Sequence, residues 1–356
     1  MKEGFVIGGG FIVAGLLLEL LVGSVNWAAF AWPVNLFILA AFLLIICVAA
    51  IIRKNNYPLH FLTTHRAAVP ALVYAVGLTI IMGLTRQTGD GGWFSDMLTF
   101  WPFVLIYTYI EFLLGLIIIR RLSHMFGHKK HHHSTTRRSW RHDIAFLLNH
   151  VGLFITLLCA TLGNPDMHRM RLVANQGETQ WQGIDDEMRT VELPVGIKLQ
   201  HFILEEYPDG SPRRFASEIQ IFTRNGKKYA ATVDVNKPVK FDGWKIYQYG
   251  YDVERGAQSE YSILEVVSDP WLPAVYVGIF MMLAGALSLF LIRSTAAAGI
   301  SREELEKERK ARREKKAREA EKRKLAEEFR GEHHHHHHHH HQEGDSDSHS
   351  HYHTER

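Results

Sequence analysis

Cysteine is nearly absent from the sequence, and the motifs that give cysteine a chemical role are missing altogether. The two cysteines, Cys47 and Cys159, lie in apolar runs and are too few for a zinc site or a disulfide framework. No Cys-x-x-Cys-His motif occurs, which excludes that the chain is itself a c-type cytochrome. The lack of Cys-x-x-Cys argues against a thiol oxidoreductase.

Motifs for catalysis are also missing. Residues 163–270 contain no nucleophile elbow, no phosphate-binding glycine loop and no Asp, Glu or His cluster at metal-ligand spacing. We expect no nucleic-acid partner. The first residues lead into an apolar run without a small-residue cleavage pattern, so we expect a retained first span rather than a removed signal peptide.

Long apolar runs are the main feature that is present. The formal net charge of +3 averages over unlike segments, so the placement of charge is more informative than its sum. About 20 apolar residues are needed to cross a bilayer, and the sequence predicts a membrane protein with an α-helical bundle of six transmembrane helices. The six runs are residues 4–22, 30–52, 67–85, 98–119, 143–162 and 271–292.

Lys and Arg are concentrated in two connections between these runs. Basic connections remain in the cytoplasm, so both connections and both termini are predicted to be cytoplasmic. The connection near residues 86–97 has only Arg86, and residues 163–270 are then extracytoplasmic. The basic residues are Arg53, Lys54 and Arg66 in one connection and Arg120, Arg121, Lys129, Lys130, Arg137, Arg138 and Arg141 in the other.

Residues 163–270 are long enough for one domain with its own core. Apolar and polar residues alternate in four stretches, which predicts strands, and Pro208-Asp-Gly210 and Asn225-Gly226 predict turns. We therefore expect one extracytoplasmic β-rich domain with an antiparallel sheet, serving as a scaffold more than as an active site. The four stretches are residues 197–203, 218–222, 229–235 and 244–249.

An ordered set of six motifs occurs in this half of the chain. The motifs are Leu193-Pro-Val-Gly-Ile-Lys-Leu, Tyr207-Pro-Asp-Gly-Ser-Pro, Phe215-Ala-Ser-Glu, Val233-Asp-Val-Asn-Lys-Pro238, Phe241-Asp-Gly-Trp-Lys-Ile-Tyr-Gln-Tyr-Gly-Tyr251 and Ser268-Asp-Pro-Trp-Leu-Pro-Ala-Val-Tyr-Val-Gly278. This set resembles the ResB family (CcsB-like) of system II cytochrome c biogenesis. The resemblance covers residues 142–292, and the order of its motifs between two spans is more specific than any one of them. Many members have four spans, so the first four spans here are less typical.

The resemblance implies a role in moving heme b across the bacterial cytoplasmic (inner) membrane and delivering it to apocytochrome c. The family acts with a CcsA-type partner, at which the thioether bonds form and which carries a tryptophan-rich motif. No such motif occurs in this sequence. The chain is therefore expected to be a non-catalytic subunit of a holocytochrome c synthase (heme lyase) complex rather than a complete synthase.

His150 is the first candidate for heme binding, because histidine is a natural axial ligand and an intramembrane histidine is costly. It lies in Phe146-Leu-Leu-Asn-His-Val-Gly-Leu-Phe154. This run is similar to one in ResB proteins. The resemblance implies that His150 ligates a heme jointly with a histidine of the partner. The alternative is a neutral histidine that donates to a neighbouring carbonyl.

Two further histidines and two carboxylates accompany the spans. His60 and His65 border the third span, either along an access route for heme or as ordinary interfacial residues. Glu111 lies within the fourth span, where a buried acid is a functional candidate. It would pair with a heme-binding histidine or a polar group of the partner, or stay neutral in a helix contact. Glu19 lies near the outer end of the first span.

Polar residues at the span ends have simpler interpretations. His142 and Asp143 would open the fifth span, with the acid in a favourable first turn. Five tryptophans lie at predicted outer ends, as an interfacial belt would have them; a heme-facing aromatic platform is the alternative. These tryptophans are Trp27, Trp32, Trp93, Trp101 and Trp271.

Histidine is also concentrated in the second basic connection and in the tail. The run from His333 to His341, including His333, His335 and His337, would bind metal weakly. It is either a native tail or a purification tag, and the His-rich continuation after it favours a native tail. Ser301-Arg-Glu-Glu304 is a capping box that opens a charged helix to about residue 330. The basic connection has His124, His128, His131, His132 and His133.

The chain thus divides into five parts. Residues 1–141 hold four spans and the basic connection, 142–162 the fifth span, 163–270 the β-rich domain, 271–292 the sixth span and 293–356 the charged helix and tail. Two other functions stay open: a non-catalytic membrane scaffold for a respiratory or secretion complex, and a small-solute transporter. The transporter is the weaker alternative, since there is neither a repeated half nor a pair of broken spans.

Overall fold

The computed structural model describes residues 1–90, 92–127, 137–299, 306–307 and 309–323. Six of its helices are long and apolar enough to cross a membrane, as the sequence predicts. A short helix between the second and third spans was not predicted; Asn56 caps it, and Pro58 stands in its first turn. The helices are α1 Lys2–Val22, α2 Val34–Ile52, α3 Tyr57–Leu62, α4 His65–Leu84, α5 Trp101–Gly127, α6 Arg137–Gly163 and α7 Leu272–Gly299.

Glycines allow α1 to pack closely against α4 and α5. A Cβ on Gly4 would collide with the backbone of α4 at Arg66, and one on Gly15 would lie 2.5 Å from Pro102 of α5. Small residues at such contacts bring helix backbones together where no hydrophobic effect drives association. The α1, α4 and α5 helices therefore form one packed group, and its interior includes the fully buried Ile106.

The second group consists of α6 and α7, which also meet at glycines. A Cβ on Gly278 would lie 2.6 Å from the carbonyl oxygen of Gly152, and one on Gly285 would lie 2.9 Å from the backbone nitrogen of Asn149. Thr156 donates to the Gly152 carbonyl at 2.8 Å. The two helices are thus in backbone contact over about two turns, and α6 joins α5 through an ion pair described below.

Eight strands between α6 and α7 form one antiparallel sheet, as expected for the β-rich domain. The order across the sheet is β5-β4-β3-β2-β1-β8-β7-β6. The strands are β1 His168–Asn175, β2 Thr179–Asp185, β3 Thr190–Glu206, β4 Pro212–Phe222, β5 Lys228–Asp234, β6 Val239–Phe241, β7 Trp244–Tyr251 and β8 Tyr261–Ser268. The four alternating stretches lie in β3, β4, β5 and β7, whereas β1, β2, β6 and β8 were not predicted.

One face of the sheet closes around a single hydrophobic core. In β3 the alternate residues Leu193, Val195, Ile197 and Leu199 are buried, because side chains alternate between the two faces of a strand. Val233 of β5 belongs to the same cluster although β5 is at the edge of the sheet, so the sheet curls until its ends approach each other. The interior also includes Met170, Leu172, Ala174, Ile219, Ile221, Ile246, Leu264 and Val266.

A shift in the β3–β4 register occurs between Leu199 and His201. A bulge exchanges the two faces of a strand, and beyond it Phe202 is buried and stacks on Tyr251 at 4.9 Å. Three buried polar side chains near this end of the domain satisfy one another: Ser217 donates to Gln248 at 2.6 Å, and Gln248 donates to Ser262 at 2.7 Å. Burial of polar groups is tolerated because they are hydrogen-bonded.

The chain separates into two compact units, residues 1–289 and 290–356. In the second unit, residues 306–307 and 309–323 are helical and exposed, in the region of the predicted charged helix. The capping box at residues 301–304 lies outside the described residues.

Candidate functional site

His150 lies in α6, and its ring is fixed by two contacts with Phe146, one turn earlier. The Nδ1 atom is 2.8 Å from the Phe146 carbonyl oxygen, and the two rings stack with centroids 3.8 Å apart and an interplanar angle of 19°. A carbonyl oxygen only accepts, so Nδ1 carries the proton and the lone pair of the neutral imidazole is on Nε2. Within the described residues, Nε2 has no hydrogen-bond partner.

This geometry bears on both interpretations of His150. The hydrogen bond to a neighbouring carbonyl, which the alternative interpretation of His150 predicts, is present. It does not compete with a ligand role, because a ligating histidine commonly donates its other ring N–H to a backbone carbonyl, which fixes the tautomer. His150 therefore has the donor atom and the orientation that an axial ligand of heme needs, and the ligand role stays a prediction.

The Phe146 ring is itself held from the other side by α5. The Arg121 guanidinium lies 4.2 Å from the Phe146 ring centroid and forms a 3.2 Å ion pair with Asp143. The expectation that Asp143 lies in the first turn of the fifth span was wrong, because α6 begins at Arg137 and Asp143 lies inside it. Arg121, Phe146 and His150 thus form a stack that runs from α5 to the histidine.

Glu111 is buried in α5 with 7% of its surface exposed, and neither carboxylate oxygen has a hydrogen-bond partner among the described residues. No hydrogen bond joins Glu111 to His150 in that part of the chain. A buried carboxylate without partners is costly in its charged form. The geometry fits a neutral acid in a helix contact, and equally an acid whose partner is supplied by another molecule.

The structure separates His60 from His65. His60 lies in α3 and lines an open cleft of about 550 Å³ together with Arg53, Lys54 and Arg120. His65 is the first residue of α4 and is exposed, outside the residues that line this cleft. Neither is in contact with His150, so the three histidines do not form one cluster in the described structure.

The predicted metal-binding histidines His333, His335 and His337 lie outside the described residues. Within the described ranges, no group of three or more His, Cys, Asp or Glu side chains is arranged to hold a metal ion. One histidine of the second basic connection, His124, lies in the last turn of α5. The other four lie outside the described residues; they are His128, His131, His132 and His133.

A hydrogen-bonded cluster around Asp166, which was not predicted from the sequence, joins three spans beside the sheet domain. Asp166 is 9% exposed and accepts three hydrogen bonds, from Trp32 N at 2.8 Å, Asn35 Nδ2 at 2.7 Å and Trp271 Nε1 at 2.6 Å. Asn35 also donates to the Leu162 carbonyl at 2.9 Å. These groups, the Asp166 cluster, connect α2, the end of α6 and the start of α7. The signal that was present is an acid beside proline at a span end.

Glu19 plays a similar part at the start of α5. Ser24 donates to its Oε1 at 2.6 Å, and the backbone N–H of Trp101 donates to its Oε2 at 3.2 Å. The Trp101 indole donates to the Gly23 carbonyl at 2.7 Å. The acid therefore satisfies a free N–H at the beginning of the fourth span, where the helix dipole favours negative charge.

Two arginines of β4 form ion pairs with carboxylates of the neighbouring strands β3 and β5. Arg214 bonds both oxygens of Asp234, at 2.6 and 3.0 Å, and reaches Glu205 at 3.2 Å. The hydrogen bonds from Arg214 lower the pKa of Asp234. Those from Arg213 and Arg214 lower the pKa of Glu205, and the two carboxylates raise the pKa of Arg214. Both acids are thus held in the charged form.

Comparisons with known proteins point to one family. Residues 121–259 match the model of the ResB-like family. The chain is 28% identical over 120 residues to the cytochrome c biogenesis protein CcsB of Prochlorococcus marinus subsp. pastoris, a match that covers 33% of this chain and 27% of that protein. It is 29% identical over 118 residues to CcsB of Prochlorococcus marinus strain MIT 9301, covering 33% of this chain and 26% of that protein. The chain spans about a quarter of the length of these relatives.

Among solved structures, the chain is similar to the cytochrome c heme lyase CcmF, with a TM-score of 0.32 and 15% identity over 61% of this chain and 33% of that one. A TM-score at this level does not establish a shared fold. The family match is the stronger finding, because it covers α6 with His150 and most of the sheet domain. The resemblance to the ResB family, which the sequence motifs indicate over residues 142–292, is thereby confirmed over residues 142–259; the motif at residues 268–278 lies beyond the matched range.

Proposed function

We propose that the chain is a subunit of the cytochrome c maturation machinery that binds heme b through His150. With a CcsA-type partner it would pass the heme to apocytochrome c. The observation that carries the proposal is the geometry of His150: its Nδ1 bonds the Phe146 carbonyl, and its Nε2 is left as the lone-pair donor. The match of residues 121–259 to the ResB-like family, and relatives named as cytochrome c biogenesis proteins, support it.

Heme in this proposal is cargo, and the partner supplies its second axial ligand and the site of thioether formation. This chain's own groups bind and orient. Phe146 fixes the His150 ring by stacking, and Arg121 fixes Phe146, so the imidazole plane is set before heme arrives. Histidine ligation on both sides of the iron, in an apolar surrounding, is a recognised way to set the potential of a heme.

The proposal takes the sheet domain as extracytoplasmic and both termini as cytoplasmic. The support is that Arg53 and Arg66 lie at helix ends remote from the Asp166 cluster, from which the sheet begins, and that Arg120 lies in the C-terminal third of α5. A bacterial cytoplasmic membrane is the location that agrees with this orientation. Heme would then be released on the side where apocytochrome c is matured.

The experiment is an absorption spectrum of the full chain purified together with its CcsA-type partner. We expect the bands of a ferrous heme with two histidine ligands. In His150→Ala these bands should fall to a small fraction of the wild-type intensity at equal recovery of the partner, and added imidazole should restore part of them. His142→Ala is the matched control, because His142 is an exposed histidine of the same helix.

Two outcomes would contradict the proposal. A His150→Ala complex that retains undiminished heme would remove His150 as the ligand. A wild-type complex that is colourless would favour the non-catalytic scaffold. Unchanged spectra in His142→Ala would show that the loss in His150→Ala is not a general effect of removing a histidine from α6.

A further inference from the structure

A cationic cleft lies at the end of α2, on the side of the helices opposite the Asp166 cluster. Arg53 and Lys54 follow the last residue of α2, His60 comes from α3 and Arg120 from α5, around an open volume of about 550 Å³. The amides of Asn55 and Asn56 also line it. The cations Arg53, Lys54 and Arg120 therefore line one space together with the imidazole of His60.

The charge in this cleft is not neutralised by the described part of the chain. No carboxylate oxygen there lies within 4.0 Å of Arg53, Lys54 or Arg120, whereas the neighbouring Arg121 pairs with Asp143 at 3.2 Å. Arg120 is oriented by donating to the backbone and side-chain oxygens of Thr63, at 3.0 and 3.2 Å. A fixed cluster of cations in a concave surface attracts an anion with several acceptor oxygens.

An apolar groove of about 300 Å³ adjoins the cleft, between α1, α3 and α5. Tyr57 lines both, so the two spaces share a wall. The only carboxylate among the groove's lining residues is Glu3, at the start of α1. The remaining walls are carbon-rich, with Ile7, Phe11, Phe61, Leu62 and Phe112.

Tyr109 contributes an aromatic surface to the groove. Its side chain is 5% exposed, and its ring packs on that of Phe11 with centroids 4.7 Å apart. Its hydroxyl oxygen is itself buried, so a ligand in the groove would contact the ring and not this oxygen. The groove therefore presents carbon atoms along its length, which suits a hydrocarbon chain.

We propose that the cleft and groove together bind one anionic phospholipid. Its phosphate would lie among Arg53, Lys54 and Arg120, and an acyl chain would occupy the groove beside Phe61 and Phe112. Basic pockets between transmembrane helices bind such headgroups, and the apolar groove distinguishes a lipid from a free phosphate ion, which would use the cleft alone. The proposal does not depend on heme binding, only on these helices lying in a bilayer.

The test is native mass spectrometry of the full chain in mild detergent with phosphatidylglycerol or phosphatidylcholine of equal chain length. We expect preferential binding of phosphatidylglycerol. Each basic residue near a lipid surface contributes about five-fold in affinity, so Arg53→Gln with Lys54→Gln should weaken that binding by about thirty-fold. Lys54→Gln alone, at an exposed side chain, should weaken it by about five-fold without affecting folding.

The control is Arg66→Gln with Arg86→Gln, which removes the same charge from exposed positions outside the cleft and should leave binding within about two-fold. Short-chain phosphatidylglycerol should bind more weakly than the long-chain lipid, because it fills less of the groove. Equal binding of the two headgroups, or an unchanged affinity in the double variant, would overturn the proposal. Displacement of the lipid by millimolar inorganic phosphate would assign the cleft to a free anion and overturn the lipid.

Discussion

Removal of the Asp166 carboxylate is the sharpest structural perturbation that the helices offer. It accepts hydrogen bonds from Trp32, Asn35 and Trp271, on two other spans, at 2.6 to 2.8 Å. A hydrogen bond to a charged group contributes roughly 1.5 to 3 kcal/mol, so Asp166→Ala, which leaves three donors without their acceptor, should cost roughly 4 kcal/mol or more. The loss should appear as a lower midpoint of thermal unfolding in detergent.

Graded variants separate this cluster from a general effect of mutation. Asp166→Asn keeps one acceptor oxygen but directs an amide toward donors, so we expect a loss of roughly 2 to 3 kcal/mol. Trp271→Phe removes one donor and should cost about 1 to 2 kcal/mol. The control Trp93→Phe, at a tryptophan that is 45% exposed, should change the free energy of unfolding by no more than about 0.5 kcal/mol.

A glycine variant tests the same cluster without removing a polar group. A Cβ on Gly163 would collide with the Trp271 side chain and push the indole away from Asp166. Gly163→Ala should therefore destabilise about as much as Trp271→Phe, whereas Gly83→Ala in α4, where a Cβ meets nothing within 4 Å, should not. An Asp166→Ala protein that unfolds at the same midpoint as Trp93→Phe would refute the reasoning.

Two further predictions concern the sheet domain and the α6–α7 contact. The pKa of Asp234 is lower in the folded than in the unfolded protein, so its pair with Arg214 stabilises the fold above about pH 4. This stabilisation is lost as the pH falls through the folded pKa. Asp234→Asn should therefore flatten the acid side of the thermal-stability profile, whereas Asp186→Asn, at a carboxylate without an ion pair in the described residues, should not. Gly278→Ala should lower the midpoint of thermal unfolding and weaken the heme bands, because its Cβ would press on the carbonyl oxygen of Gly152, two residues from His150, whereas Gly83→Ala should do neither. Equal profiles, or equal midpoints, would contradict these two predictions.

The sequence predicted the features that arise from long uniform patterns. The six spans follow from run length, and β3, β4, β5 and β7 follow from alternation, because those strands are buried on one face only. In β8 the outward residues Ile263 and Val267 are apolar and the buried Ser262 is polar, which hides the alternation. In β2 the two large apolar residues, Trp181 and Ile184, are three positions apart, so there was no alternation with a period of two to detect.

The features that were missed depend on residues distant in the sequence. Asn35 and Asp166 are 131 positions apart and meet only because α2 and α6 pack side by side. Asp143 looked like a helix cap because the apolar run begins there, but α6 extends through the preceding charged residues. For His150, the sequence suggested two alternatives, and the structure adds an orientation that makes them compatible: one ring nitrogen is used by the carbonyl and the other stays available.

The link between the helices and the sheet explains how a histidine in the middle of α6 is held in a fixed relation to the sheet domain. The α6 helix leads into β1 and β8 leads into α7, and these two strands pair from His168 opposite Ser268 to Asn175 opposite Tyr261. Just before this ladder, the Asp166 cluster joins the ends of α6 and α7, and glycine contacts continue the pairing of the two helices past His150. Hydrogen bonds and backbone contacts hold both connections, from α6 to β1 and from β8 to α7, so no free linker separates the sheet from the helices. A partner bound to the sheet would therefore lie at a defined distance from His150. If His150 binds heme as proposed, Asp166→Ala should therefore weaken the heme bands of the purified complex even though no residue of the Asp166 cluster touches His150.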